Sequence, residues 1–332
     1  MDKTGSEYPY FNYYYKKGLK VDDDPETAER WDNKLVIGIH GLAPKVPENV
    51  LKEYWYKAIT DGLIYNKYGK KYGTLEERNS VLPWECFKMA YWAKLIYKHP
   101  VRKETEPYLP YKEPPKNREE HYSNCGISMR KCFTDVAGCL CDSFRKEVGS
   151  KCSEILASKV GHFNDATDYW GDEFTRSTGK VKSSDIRACL RDIITDALKD
   201  NHNKQILILA HSMGTMISYD VLDALETPYT KNITFVTLGS PLGMPTVKSH
   251  VRSTSSVGMK CKSWINFSDM KDPVCFDAFL EDDYDGVKDV IVCNEYEYLD
   301  KHTQQPTINS HKSIGYLRCP EATKCIENFI NE

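Results

Sequence analysis

The sequence predicts an α/β fold with a mostly parallel central sheet flanked by helices, and three observations carry that prediction. Short, nearly uninterrupted apolar runs stand at 34–42, 205–210, 233–238 and 263–267, the pattern of strands covered on both faces. Between them lie segments whose apolar residues recur at helical spacing, so strands and helices alternate as parallel crossover units require. The chain of 332 residues has ample apolar content for a large core, and folds of this kind and size often form one domain.

Taken in order, residues 1–32 read as an N-terminal arm, polar at its start and crowded with Tyr8, Tyr10, Tyr13, Tyr14 and Tyr15; an arm that covers an edge is the plain expectation. Within the run from Lys34 to Leu42, the first buried strand is expected to end in His40-Gly41. A helix is expected from Glu48 to Gly62, with Val50, Leu51, Tyr54, Ala58 and Ile59 on one face. Trp84–Ile96 is ambiguous between strand and helix. Pro100–Asn124 carries Pro107, Pro110, Pro114 and Pro115 among charges and reads as loop. From Cys139 to Val160, Leu140, Phe144, Val148, Cys152 and Ile155 recur at helical spacing. Residues 100–182 thus form an insertion within the domain at 33–332, either a cap over a site or a peripheral addition. Ser184 is expected to cap a helix whose buried face is Ile186, Leu190, Ile193, Ile194 and Leu198. No internal repeat or low-complexity tract interrupts the chain.

The sharpest chemical signal is Ala210-His211-Ser212-Met213-Gly214, with a strand before it and a helix after it. A serine at the apex of such a turn is exposed and backbone-strained, the setting in which a hydroxyl serves as nucleophile. The competing reading is that Ser212 merely caps the helix of 213–226. Ala210 and Gly214 supply the smallness that the close chain crossing demands. His211 is a poor base, because neighbouring side chains on such a turn diverge, and packing against the sheet is its expected role.

A serine nucleophile needs a base, and the base needs an orienting group. In a parallel sheet both come from loops at the carboxyl ends of later strands. The loop after 263–267 offers Asp272, stiffened by Pro273, ahead of Asp269 and the more distant Asp277. Downstream histidines are His302, in a polar surface run, and His311, just before the final helical segment. His311 is preferred because a base must be held rigidly, and imidazole exchanges protons near neutral pH. Oxyanion donors are expected from the N–H of Met213 and of Gly41 or Leu42, where Gly41 permits close approach. His40 is read as structural. Ser240, in Gly-Ser-Pro, lacks a strand-to-helix turn and is read as lining or bracing the site.

With His40-Gly41-Leu42, the Ser212 turn, Asp272-Pro273-Val274 and His311 in this order, the chain resembles the α/β-hydrolase superfamily. More narrowly, it resembles a group of bacterial α/β-hydrolases with no assigned substrate. Segments carrying the likeness include Met89-Ala90-Tyr91-Trp92-Ala93, Leu238-Gly239-Ser240-Pro241-Leu242, Trp264-Ile265-Asn266-Phe267-Ser268-Asp269 and His311-Lys312-Ser313-Ile314-Gly315-Tyr316-Leu317. The likeness covers most of 33–330. It implies a strand over Phe87–Trp92, an esterase or lipase type of activity, and a triad of Ser212, Asp272 and His311. It implies no substrate, since one such scaffold supports many chemistries. Ala210 in place of the usual first glycine, and the long segment between His40 and Gln205, depart from the pattern.

The expected activity is therefore hydrolysis of a carboxylic ester, small-molecule or lipid, with no metal or organic cofactor. Thioesterase, amidase or acyltransferase chemistry would use the same residues, and a binding module on the same scaffold is the non-enzymatic alternative. The net charge of −3 and the lack of a dense basic patch argue against nucleic acid. A protein partner is not legible. No stretch approaches the ~20 apolar residues that span a bilayer, and no signal region follows Met1, so a cytoplasmic location is the expectation. The 12 cysteines are scattered without a Cys-x-x-Cys pair; most read as small buried thiols rather than disulfides or zinc ligands.

Overall fold

The computed structural model describes residues 25–70, 73–100, 169, 173–176, 179–275, 277–299 and 305–332. Its centre is a six-stranded, all-parallel sheet in the order β2-β1-β5-β6-β7-β8. The strands are β1 (Lys34–Ile39), β2 (Phe87–Ala90), β5 (Gln205–His211), β6 (Ile233–Leu238), β7 (Ser263–Ser268) and β8 (Val287–Ile291). Two antiparallel pairs stand apart from it: β3 (Glu173–Arg176) with β4 (Gly179–Lys182), and β9 (Glu297–Leu299) with β10 (Pro306–Ile308).

The apolar runs become strands because each has a hydrophobic layer on either face. Along β1, Leu35, Ile37 and Ile39 point into one layer and Val36 into the other, the two-residue alternation of a strand buried on both sides. The first layer is covered by helix α4 (Ser183–Asp200), through Ile186, Leu190, Ile194 and Leu198, and by α5 (Met213–Ala224). The second is covered by α1 (Pro25–Trp31), α2 (Glu48–Tyr68), α6 (Ser313–Arg318) and α7 (Pro320–Asn331). A short helix, α3 (Leu75–Val81), packs on α2 and opens with a capping box. The Thr74 side chain accepts from Glu77 N, and the Glu77 carboxylate accepts from Thr74 N.

Several boundaries differ from the sequence reading. The first strand ends at Ile39 rather than in His40-Gly41, because His40-Gly41-Leu42 leaves the sheet as a loop. Helix α2 continues past Gly62 to Tyr68 and stops where Gly69 takes a left-handed φ of 66°. The ambiguous segment splits into a 3₁₀ turn at Trp84–Cys86, strand β2 ending at Ala90, and a helical turn at Ala93–Ile96. Ser184 is not a cap: α4 begins at Ser183, whose hydroxyl donates to the Tyr169 carbonyl, and the N-cap position is Lys182 with no side-chain cap bond. The Tyr-rich arm, the proline-rich loop, the expected helix at 139–160 and His302 lie outside the described residues.

Because all six strands run the same way, the loops after β1, β5, β6 and β7 emerge at one edge. The chain order reverses between β1 and β5, where crossovers diverge in opposite directions. That switch point leaves a crevice, and it is flanked by Gly41 on one side and Ser212 on the other. Among the described residues no helix is long and apolar enough to cross a membrane.

Candidate active site

Ser212 stands between β5 and α5 with φ 55° and ψ −130°, a left-handed conformation unusual for a residue with a side chain. The surroundings hold it there. Its N–H donates to the Leu238 carbonyl at 3.0 Å, and its own carbonyl accepts from the Thr215 N–H at 2.8 Å and the Thr215 hydroxyl at 2.7 Å. Thr215 Oγ1 in turn lies 2.9 Å from Ser240 Oγ. Ser240 is thus a brace beneath the turn, as its sequence context indicated. Gly214 is required for the crossing: a Cβ there would sit 2.7 Å from the Ile39 carbonyl oxygen.

His311 Nε2 lies 2.9 Å from Ser212 Oγ, and His311 Nδ1 lies 2.8 Å from Asp272 Oδ2. Since a carboxylate accepts, Nδ1 carries the proton and the Nε2 lone pair faces the serine hydroxyl. The Asp272 side chain has no exposed surface, whereas that of His311 is 23% exposed. The carboxylate is fixed from other directions too. Tyr316 OH donates to Oδ2 at 2.7 Å and the Val274 N–H to Oδ1 at 2.8 Å, with the Cys275 thiol 3.6 Å from Oδ2. Gly239, at φ 58°, makes room: a Cβ there would be 2.7 Å from Asp272 Oδ2.

The two competing aspartates are held elsewhere. Asp269 is buried and accepts backbone N–H groups from Lys271 and Asn294, at 2.7 and 2.6 Å. Burial pushes its carboxyl up to about 6, and its role is to lock the loop. Asp277 accepts from the Phe279 N–H and lies beside Asp282 and Asp283. Neither has a bond to His311.

The loop after β1 supplies the opposite wall. A Cβ on Gly41 would fall 2.6 Å from Ser212 Cβ, so only glycine permits the backbone to pass this close. His40 is buried and stacked on Trp92 at 4.8 Å between ring centroids. Its Nδ1 lies 2.8 Å from the Gly41 carbonyl oxygen, and its Nε2 accepts from the N–H of Trp92 at 3.2 Å and of Ala93 at 3.3 Å. With both nitrogens so placed the ring is neutral, and burial lowers its pKa to about 3. Holding the Gly41 carbonyl toward His40 turns the Leu42 N–H of the same trans peptide the other way. Among the described residues, no hydrogen bond takes up the Leu42 N–H. Met213 opens α5, where the first N–H groups have no intrahelical acceptor.

His211 does more than pack on the sheet. Its Nε2 donates to the His311 carbonyl at 2.7 Å, and the two rings lie 4.7 Å apart. Burial holds its pKa well below the usual imidazole value, and the charge of His311 lowers it further. The residue before the serine therefore ties the His311 loop to the turn. Tyr316, His211 and Thr215 were not assigned these parts from sequence. Tyr316 follows His311 at a spacing that puts it on the next helix facing the same carboxylate, the only trace the sequence carries.

The site opens into a cleft of about 400 Å³, whose lining among the described residues includes Met213, Met216, Val274, Leu51, Trp55 and Ile314, a size suited to a small organic ligand. No disulfide joins the described cysteines; Cys275 and Cys319 are buried, which raises their thiol pKa. No protein-family model matches the chain, and no curated protein matches it.

Proposed function

We propose that this protein is a serine hydrolase of the α/β-hydrolase fold that cleaves a carboxylic ester through an acyl-enzyme on Ser212. The observation that carries the reading is the continuous chain from Ser212 Oγ to His311 Nε2 at 2.9 Å and from His311 Nδ1 to Asp272 Oδ2 at 2.8 Å. It is assembled from three loops at one edge of a parallel sheet. The left-handed backbone at Ser212 and the Ser-Asp-His chain order support the same assignment.

In this reading Ser212 Oγ attacks the ester carbonyl while His311 Nε2 takes its proton. Asp272 keeps the imidazole in the Nδ1–H tautomer and stabilises the imidazolium. The carbonyl oxygen becomes an oxyanion within reach of the N–H groups of Met213 and Leu42, with Gly41 giving the loop its close approach. His311 then returns the proton to the departing alcohol. Water attacks the acyl-enzyme with His311 as base, releasing the carboxylic acid and restoring Ser212. His211 stays neutral throughout, so it holds the loop without adding a positive charge beside the imidazolium.

The test is hydrolysis of p-nitrophenyl butyrate by the purified protein and by a Ser212→Ala variant of unchanged circular dichroism. The expected loss is at least about a thousandfold in kcat/KM. Turnover by the variant at the parental rate would contradict the assignment.

A further inference from the structure

The oxygen of Asp272 that faces His311 is shared. Oδ2 accepts from His311 Nδ1 at 2.8 Å and from the Tyr316 hydroxyl at 2.7 Å. Among the described residues the only ion-pair partner of this carboxylate is His311, so its charge otherwise rests on neutral donors. The direction of the tyrosine contact is fixed: a carboxylate only accepts, and the phenol oxygen itself accepts the Asp269 N–H at 3.0 Å. Burial, then the nearby Cys275 and Asp272, hold the Tyr316 pKa well above the usual phenol value. The proton therefore stays on the hydroxyl wherever an imidazole titrates. Tyr316 and the Asp272 side chain have no exposed surface, which keeps bulk water from replacing this donor. Gly239, at φ 58°, lets the groups meet: a Cβ there would lie 2.7 Å from Asp272 Oδ2, 2.9 Å from Tyr316 Cε2 and 3.2 Å from His311 Nδ1.

Two donors on one oxygen divide its charge. A negative group beside an imidazole favours the imidazolium, and a carboxylate that also accepts from a phenol presents a weaker field to Nδ1. The same second bond stops the carboxylate from rotating, so Oδ2 stays aimed at the ring. Other groups face this cluster. Cys275, on the loop after β7, lies 3.6 Å from both Asp272 Oδ2 and the Tyr316 hydroxyl, and Asp269 approaches from the same loop. His211, at the end of β5, lies against His311, and Lys45 and Lys312 act on His211 through their charge. His211 is neutral and the lysine charges are untouched by changes at Tyr316. Asp269, pushed up by burial to about 6, titrates in the range that matters.

We propose that Tyr316 is a positioning residue of the hydrolytic reaction, whose hydroxyl aims Asp272 at His311 and draws off part of its negative charge, so that the free base persists to lower pH. This rests on the serine-hydrolase reading and adds to it a residue that acts through Asp272 without touching the substrate.

The experiment measures kcat/KM for p-nitrophenyl butyrate across the acid limb of its pH profile, which reports the base of the free enzyme. Rates in the full chain are taken per active site counted with a fluorophosphonate. Tyr316→Phe should move the limb to higher pH by about half a unit and lower the plateau about tenfold. The upward shift should persist in an Asp269→Asn background, which removes that titration. Tyr316→3-fluorotyrosine, introduced by codon suppression, keeps the ring and its contacts, is the stronger donor, and should move the limb to lower pH. In an Asp272→Asn background the plateau loss from Tyr316→Phe should shrink to about twofold, since the two residues act as one unit. A limb that stays with the parent's in either variant at Tyr316, or an undiminished loss in the Asp272→Asn background, overturns the inference and leaves Ser212-dependent hydrolysis standing. Should Tyr316→Phe fail to fold, an unmoved limb in the fluorotyrosine protein is alone sufficient to overturn it. A parent that neither turns over the ester nor labels at Ser212 removes the hydrolase reading and this inference with it.

Discussion

Asp269 and Asp272 lie three residues apart in one loop, yet their surroundings assign them opposite tasks. Asp272 spends one oxygen on His311 and Tyr316, whereas the carboxylate of Asp269 is taken up by backbone N–H groups. Asp272→Asn should lower kcat by about 10⁴-fold, the known cost of reversing the imidazole tautomer in such a triad. Asp269→Asn should leave kcat within about tenfold of the parent while lowering stability by about 1–3 kcal/mol in urea unfolding, since it disturbs buried hydrogen bonds. His40 gives a pH signature. Its folded pKa is about 3 against an unfolded value near 6.5, so on acidification the unfolded chain binds the proton first. The stability that depends on a neutral His40 is complete above the unfolded pKa and is lost as pH falls toward the folded one. Between pH 6.5 and 5 the parent should therefore lose about 2 kcal/mol more than a His40→Gln variant, measured by urea unfolding at each pH. The sequence carried Ser212, Asp272 and His311, because strand, turn and chain order constrain them locally. Tyr316 and the second task of His211 were not legible: each depends on which carboxylate or carbonyl tertiary packing brings within reach.

At the scale of elements, apolar runs and periodicity located β1, β5, β6, β7, α2, α4 and α5, with errors at their ends, whereas β8, the β3–β4 and β9–β10 pairs, α1 and α3 were not read from the sequence. β1 was read as ending in His40-Gly41, but it stops at Ile39, since the loop must leave the sheet for Gly41 to reach Ser212. Ser184 looked like a cap by residue type, yet Ser183 is nearer the helix start and its hydroxyl is taken by the Tyr169 carbonyl. The segment at 84–96 had no single period because it holds three short elements. Helix α3 offers a clean test of local chemistry, since its reciprocal cap involves Thr74 and Glu77 away from the candidate site. Thr74→Ala should cost about 1 kcal/mol of stability in urea unfolding and leave ester turnover unchanged. A loss of turnover would mean that α3 reaches the site through contacts absent from this account.

Across the whole molecule, the parallel sheet does the converging: it delivers loops from β1, β5, β6 and β7 to one edge and leaves the crevice at the β1–β5 reversal. The sheet and its two-sided burial were foreseen from unbroken apolar runs, whereas the order in which strands sit side by side had to come from the structure. Behind His311, α6 is anchored to α2 and α3 by a buried ion network. Asp61, with no exposed side-chain surface, pairs with Arg78 at 2.6 Å and with Arg318 at 3.3 Å. Asp61→Asn leaves two buried guanidinium groups without their carboxylate and should cost about 3–5 kcal/mol, read as a lowered urea midpoint. Because Arg318 belongs to the helix that begins two residues after His311, the surviving folded fraction should also show a reduced kcat. The central claim, that three loops make one hydroxyl reactive, is tested most directly by peptide mapping after exposure to a fluorophosphonate. The account predicts one adduct, on Ser212, lost in His311→Ala and slowed in Asp272→Asn. An unlabelled parent protein, or an adduct on Ser240 instead, would contradict it.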